Sequence, residues 1–157
     1  MTETGPLRIL FLCTGNSARS QMAEAILRHL SRGAVDVRSA GSAPRPEIHP
    51  LAREAVEKVF GLDMAGQRPK SVNELRAERF DYVITVCDRA AEACPTFPGA
   101  PALIHWSLPD PAGASGSEEE KLQTFESSAT DLMQRIRLWL SLPRVAERIP
   151  AAAPSRG

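Results

Sequence analysis

The run from Cys13 to Ser20 places a thiol and a guanidinium on either side of five small or turn-forming residues. It comes directly after the apolar stretch from Leu7 to Leu12, which is typical of a buried strand. A strand that ends in a tight loop and opens a helix directs backbone N–H groups inward, and the helix N-terminus adds partial positive charge. The pattern predicts a cradle for a tetrahedral oxyanion, with Cys13 at its floor.

Two side chains of this run carry the expected chemistry. The field of the loop favours thiolate over thiol, which predicts a nucleophilic Cys13 near neutral pH. Arg19 supplies a planar fork that binds two oxyanion oxygens at once. The other residues expected to form the cradle around the anion are Thr14, Gly15, Asn16, Ser17, Ala18 and Ser20.

The bulk composition limits the classes of protein to consider. The 157 residues correspond to one domain, which at this length buries roughly two-thirds of its unfolded surface. Nineteen basic residues balance nineteen acidic ones, so neither a nucleic-acid nor a membrane partner is predicted. Signal-peptide and membrane-spanning patterns are absent, which predicts a cytoplasmic protein. Three cysteines in a reducing compartment favour thiol chemistry or metal binding over a structural disulfide.

Strand and helix patterns alternate along the chain. Strands are expected at 7–12, 35–39, 82–86 and 102–106, and helices at about 20–32, 50–60, 71–78 and 118–142. This order predicts a single three-layer α/β domain with a four-stranded parallel sheet flanked by helices. Residues 1–6 are expected to form an N-terminal arm, 7–142 the domain, and 143–157 a mobile C-terminal tail with few large apolar groups.

Reactive side chains follow several of the predicted strands. Cys13 follows the first strand, Cys87 the third, and Asp110 lies in the loop just past the fourth. Ligands of such folds bind at the carboxyl ends of the strands, so these three groups are expected on one edge of the sheet. Cys94 lies seven residues after Cys87, within reach of it.

Structural roles are the alternatives for these residues. Cys87 and Cys94 have six residues between them, whereas paired structural zinc ligands usually have about two to four. No metal site and no cofactor are therefore predicted. Free cysteines also pack as small hydrophobic residues, and an aspartate such as Asp110 before a proline suits the start of a turn.

Taken together, these residues resemble the arsenate reductases built on the low-molecular-weight tyrosine phosphatase fold, specifically the thioredoxin-coupled type with a three-cysteine relay. The resemblance covers residues 7 to about 140. It is carried by Phe11–Glu24, Ser39–Gly41, Val86–Cys87, Cys94–Pro95, His105–Trp106 and Asp110–Pro111. The signature loop is shared with phosphatases, and the two distal cysteines select the reductase.

The resemblance implies a reaction that detoxifies arsenate. Cys13 attacks arsenate held by Arg19 and the loop amides, while Asp110 protonates the departing oxygen. Cys87 then attacks Cys13 and releases arsenite, and Cys94 moves the resulting disulfide outward. Thioredoxin is the expected reductant, with a glutaredoxin or a low-molecular-weight thiol as alternatives.

Supporting roles are also implied by the resemblance. Ser20 is expected to hydrogen-bond the Cys13 sulfur, and Asn16 to hold the shape of the loop. Bridged cysteines need Cα atoms within about 7 Å, so the segment from Cys87 to Cys94 is expected to be mobile.

A phosphatase is the alternative function. A phosphotyrosine or small phosphomonoester hydrolase would use Cys13, Arg19 and Asp110 alone. Tyrosine phosphatases of this fold usually have a cysteine where Ala18 stands, and an aromatic residue, able to stack on a phenyl ring, where Ala112 stands.

Some members of the resembled family bind potassium through residues that match Asn16, Glu24 and Ser39. No acidic residue stands at Lys70 or Ser71, where a further ligand would be needed. We therefore expect the Lys70 ammonium to take the place of the cation.

Overall fold

Strands and helices alternate along the chain, as predicted. The computed structural model describes residues 5–87 and 94–149. The strands are β1 (Leu7–Cys13), β2 (Val35–Gly41), β3 (Tyr82–Thr85) and β4 (Ala102–His105). The helices are α1 (Arg19–Leu30), α2 (Pro50–Phe60), α3 (Glu118–Leu140) and α4 (Pro143–Ala146), with 3-10 turns at Val72–Leu75 and Pro111–Gly113.

The four strands form one parallel sheet in the order β2-β1-β3-β4, which confirms the predicted sheet. The chain passes from β1 to β2 on one side and then to β3 on the other, so the strand order reverses at β1. Such a switch point opens a crevice outside the carboxyl ends of the strands. Leu12 pairs with Thr85. Cys13, one residue after Leu12, and Cys87, two residues after Thr85, therefore lie at the same carboxyl end of the sheet.

The core surrounds the two central strands. All residues of β1 from Ile9 to Cys13 are buried, as are Val83 to Thr85 of β3, because side chains cover both faces of the sheet. The edge strand β4 is largely exposed. The long helix α3 packs across α1 and α2. Its buried face is formed by Phe125, Ala129, Leu132, Ile136 and Trp139.

Local sequence explains where the longer helices begin and end. Pro50 occupies the first turn of α2, and Gly61 closes it in the left-handed conformation with φ of 68°. At the start of α3, Ser117 and Glu120 form a reciprocal capping box. The helix predicted at 71–78 is wrong in type and length: a 3-10 turn ends at Leu75.

The C-terminal boundary differs from the expectation. Helix α3 ends at Leu140, and Pro143 begins the short helix α4. The Val145 side chain is buried, and the Arg148 guanidinium lies 3.2 Å from the Asp81 carboxylate. The packed chain therefore continues past residue 142, because two apolar side chains, Val145 and Ile149, and one ion pair hold it against the domain. Residues 1–4 and 150–157, in the expected arm and tail, lie outside the described residues.

None of the helices in the described ranges has the length and apolar character needed to cross a bilayer.

Candidate active site

The loop between β1 and α1 is held from outside by residues 42–49, which we call the strap. Backbone N–H groups of the strap donate to loop carbonyls: Ser42 to Cys13 at 3.3 Å, Ala43 to Thr14 at 2.9 Å, Arg45 to Gly15 at 2.9 Å and His49 to Ser17 at 2.9 Å. Within the described ranges, the N–H groups of residues 14–18 donate no recorded hydrogen bond. They are thus available to an anion, which is the arrangement that an oxyanion cradle needs.

Close backbone packing places the strap against the loop. A Cβ at Gly41 would lie 2.4 Å from the carbonyl oxygen of Thr14. Only a glycine at the end of β2 therefore lets the chain pass this close to the loop.

The Cys13 thiol lies at the floor of the loop and is buried. Its Sγ is 2.8 Å from the Oγ of Ser20, which is itself fully buried on the first turn of α1. The Asn16 side-chain amide donates to the same Ser20 oxygen at 2.8 Å. Because that bond uses Ser20 as an acceptor, the hydroxyl proton is left to donate to Cys13, which stabilises a thiolate.

Asn16 holds the loop through both its backbone and its side chain. Its φ of 48° lies in the left-handed region, where asparagine is tolerated better than most residues. Its Oδ1 accepts the Lys70 backbone N–H at 2.9 Å, and its carbonyl accepts the Gln21 side-chain amide at 3.0 Å.

Arg19 is the first residue of α1, and its side chain reaches toward the loop after β4. Its Nη1 donates to the Leu108 carbonyl at 2.9 Å, and its Nη2 lies 3.8 Å from Oδ2 of Asp110. The Arg19 side chain is only 11% exposed. These contacts fix its guanidinium, which lines the cavity between the loop and Asp110.

Asp110 begins the 3-10 turn at Pro111–Gly113. Its Oδ1 accepts the Ala112 backbone N–H at 3.0 Å, while Oδ2 faces Arg19. The side chain is 54% exposed, so the Asp110 carboxylate is open to solvent. The turn-forming role and the site role are therefore compatible.

A cavity of about 700 Å³ opens where these elements meet. It is lined by Cys13, Thr14, Gly15, Ser17, Ala18, Arg19, Ala43, Arg45, His49, Cys87, Asp110 and Ala112. Most of the residues expected from sequence line it directly. Asn16 and Ser20 are fully buried and do not line it; Ser20 contacts the Cys13 sulfur, and Asn16 bonds Ser20.

The two distal cysteines occupy different places. Cys87 is buried, lines the cavity, and has its Sγ 3.3 Å from the Thr14 hydroxyl. Cys94 is half-buried and is not among the cavity-lining residues; its Sγ lies 3.5 Å from the Pro95 carbonyl. Burial raises the pKa of the Cys94 thiol. The expected mobility of the intervening segment concerns residues 88–93, which lie outside the described residues.

Three cavity residues were missed by sequence reasoning, namely Ala43, Arg45 and His49, whereas Ala112 lines the wall where an aromatic residue of a phosphatase was expected. The His49 Nδ1 accepts the Leu51 N–H at 3.1 Å, and its ring packs on Phe125 with centroids 4.6 Å apart. A usable signal was available for the strap residues, because the loop after a second parallel strand must begin at the same sheet edge.

Lys70 lies where the family resemblance suggested a cation. Its Nζ donates to the Ser39 carbonyl at 3.0 Å and to the Arg68 carbonyl at 3.2 Å. The Ser39 hydroxyl donates to Glu24 at 2.6 Å, and Glu24 also pairs with Arg28. Burial lowers the pKa of Lys70, while the Glu24 charge opposes that shift. No cluster of three or more potential metal-ligating side chains occurs in the described ranges.

Comparison with known proteins agrees with this geometry. The model of the low molecular weight phosphotyrosine protein phosphatase family matches residues 8–145. An arsenate reductase of Halalkalibacterium halodurans is 36% identical over 129 residues, covering 82% of this chain and 91% of the relative.

Solved structures of both functional types share the fold. A thioredoxin-dependent arsenate reductase of Corynebacterium glutamicum is 31% identical with a TM-score of 0.60, covering 88% of this chain and 65% of its own. A low molecular weight protein tyrosine phosphatase from T. tengcongensis is 26% identical with a TM-score of 0.71, covering 87% of this chain and 99% of its own. The chain therefore belongs to the low molecular weight phosphotyrosine protein phosphatase family, in which its curated relatives are arsenate reductases.

Proposed function

We propose that this protein reduces arsenate to arsenite through a relay of three cysteines. The observation that carries the proposal is the presence of Cys13 and Cys87 on the wall of one cavity that also contains Arg19. A hydrolase needs one nucleophilic thiol at the anion site, whereas a reductase needs a second thiol, which forms a disulfide with the first as the two electrons pass to the substrate. The Thr14 hydroxyl, 3.3 Å from the Cys87 sulfur, holds that second thiol beside the loop.

The first step joins substrate and enzyme. The Cys13 thiolate attacks the arsenic of arsenate, which the loop N–H groups and Arg19 hold. An As–O bond breaks, and the oxygen leaves as water after taking a proton from Asp110 acting as general acid. Arsenic stays in its oxidised, pentavalent state, bonded to the Cys13 sulfur.

The second step transfers the electrons. The Cys87 thiolate attacks the Cys13 sulfur, and the S–As bond breaks with its electron pair going to arsenic. Arsenic(V) becomes arsenic(III) and leaves as arsenite. The two sulfurs, each oxidised by one electron, are joined as a Cys13–Cys87 disulfide.

The third step returns the site to its starting state. The Cys94 thiolate attacks the Cys87 sulfur, Cys13 leaves as a thiolate, and a Cys87–Cys94 disulfide results. A dithiol partner then reduces this disulfide. Thioredoxin is the proposed partner, which is supported by the thioredoxin-dependent relative from Corynebacterium glutamicum.

Hydrolysis of a small phosphomonoester is the second candidate. Cys13, Arg19 and Asp110 surround the same cavity and suffice for that reaction. Against an aryl substrate, Ala112 lines the wall and offers no ring for a phenyl group to stack on.

Cysteine variants separate the two functions in one experiment. The assay follows arsenate-dependent NADPH oxidation with thioredoxin and thioredoxin reductase, beside the same assay with glutaredoxin and glutathione. Cys87→Ser is expected to abolish arsenate turnover and to leave any hydrolysis of an aryl phosphate unchanged. Cys94→Ser is expected to release one arsenite per enzyme and then stop.

Other outcomes would contradict the proposal. Sustained turnover by Cys94→Ser with thioredoxin would exclude the relay. Absence of arsenate turnover in the unmodified protein, together with rapid hydrolysis of an aryl phosphate, would assign the phosphatase function instead.

A further inference from the structure

Arg45 is held at the rim of the cavity by its own backbone. Its N–H donates to the Gly15 carbonyl at 2.9 Å, so the residue is fixed to the loop without help from its side chain. The side chain runs across Gly15: a Cβ there would lie 3.3 Å from Arg45 Cγ and 3.4 Å from its Nε. The guanidinium therefore lies over the outside of the loop and reaches the cavity wall.

The Arg45 and Arg19 guanidinium groups lie in different surroundings. Arg19 is mostly buried, bonds the Leu108 carbonyl and lies 3.8 Å from the Asp110 carboxylate. Arg45 is exposed, and no carboxylate within the described ranges pairs with it. It is a cavity-lining cation that forms no ion pair within the described ranges.

We propose that Arg45 is a specificity-determining residue that captures the doubly charged form of a tetrahedral oxyanion as it enters the cavity. A cation at the rim attracts the incoming dianion and offsets the repulsion from Asp110. Arg45 lies across Gly15 at the rim, whereas the bonds form and break at the Cys13 sulfur on the floor of the loop. Its charge therefore stabilises the bound substrate and the transition state to the same extent. Such uniform binding changes KM and leaves kcat unaltered. The kinetic part of this inference rests on the proposed function, whereas the binding part does not.

Neutralising Arg45 has a defined expected effect. At low ionic strength, where the Debye length is about 30 Å, a unit charge about 5 to 9 Å from a dianion changes its binding by a factor of about 3 to 10. Arg45→Gln should therefore raise the KM for arsenate by that factor, keep kcat within about twofold of the unmodified protein, and lose its effect at high salt. Arg45→Lys should retain most of the affinity. Arg53→Gln, on the exposed face of α2, is the matched control and should change neither constant.

A binding measurement makes the test independent of turnover. Inorganic phosphate, which cannot oxidise the thiol, is expected to protect Cys13 from alkylation by iodoacetamide, and mass spectrometry of the Cys13 peptide reports the protection at each phosphate concentration. The half-protecting concentration should rise about 3- to 10-fold in Arg45→Gln and stay constant in Arg53→Gln.

The outcomes separate the two proposals. Equal protection in Arg45→Gln and in the unmodified protein would overturn the role of Arg45, as would a fall in kcat with KM unchanged. Weakened protection in a protein that reduces no arsenate would uphold the role of Arg45 and reject the proposed function.

Discussion

Substitution of Asn16 tests how the oxyanion loop is held. Asn16 is fully buried and left-handed, with φ of 48°. Its Oδ1 accepts the Lys70 N–H at 2.9 Å, and its Nδ2 donates to the Ser20 hydroxyl at 2.8 Å. Asn16→Ala removes both bonds and leaves a residue that tolerates the left-handed conformation poorly.

The expected loss of stability follows from these contacts. A part-buried N–H left without its acceptor costs about 1–2 kcal/mol. Left-handed strain at an alanine adds about 1–2 kcal/mol. We therefore expect Asn16→Ala to lower the free energy of unfolding by about 2–4 kcal/mol. Asn16→Gly loses the same bonds but avoids the left-handed strain. Part of that gain is offset because glycine makes the unfolded chain more flexible, so Asn16→Gly should be more stable than Asn16→Ala by about 0.5–1 kcal/mol.

Urea unfolding followed by circular dichroism measures these differences. Asn16→Asp is the third variant, because it keeps the acceptor for the Lys70 N–H but loses the donor to Ser20. It should lose arsenate reduction, because a buried carboxylate at this position accepts the Ser20 hydroxyl proton and turns it away from Cys13. A loss below about 0.5 kcal/mol in Asn16→Ala, within the range of ordinary surface substitutions, would refute the reasoning.

Three further predictions concern other parts of the site. Gly41→Ala should reduce kcat/KM for arsenate by at least about tenfold, because its Cβ would lie 2.4 Å from the Thr14 carbonyl; activity equal to the unmodified protein would contradict this. Since burial raises the pKa of Cys94, its thiolate fraction near neutral pH is smaller than that of an exposed cysteine and increases as the pH rises. Multiple turnover should therefore rise with pH relative to single-turnover arsenite release, and a constant ratio across pH would argue against it. Lys70→Ala should lower the melting temperature by about 2–4 °C and make it sensitive to potassium. The unmodified protein should melt at the same temperature in KCl and in NaCl. A higher melting temperature in KCl would show that potassium binds although Lys70 is present.

Much of the fold could be predicted because its signals are local. Continuous apolar runs mark β1 and β3, which are buried on both faces. Pro50 and Gly61 bound α2 through local backbone preferences, the fixed φ of proline and the freedom of a residue without a Cβ. The 3-10 turn at Val72–Leu75 was predicted as a longer helix; Ser71 accepts the Asn73 N–H and Glu74 bonds the Arg68 guanidinium, and the sequence pattern reveals neither contact.

The end of the domain was misjudged for a related reason. The segment after residue 142 is poor in large apolar residues, which indicated a free tail. Two apolar side chains, Val145 and Ile149, and one ion pair from Arg148 to Asp81 hold it instead. Composition averages over a segment and cannot show that one of its residues meets a matching site.

By itself, the sequence determined that a thiol and a guanidinium flank an anion-binding loop, and that Cys87 and Asp110 end up beside it. The physical reason is that parallel strands bring their carboxyl ends to one edge, so residues that follow strands must meet. Tertiary structure alone decided how the loop is clamped. The contact of Arg45 with Gly15, the place of His49 in the wall and the position of Cys94 outside the cavity depend on irregular segments without periodicity. Such segments are positioned by long-range hydrogen bonds, and these exist only once the strands have been assembled.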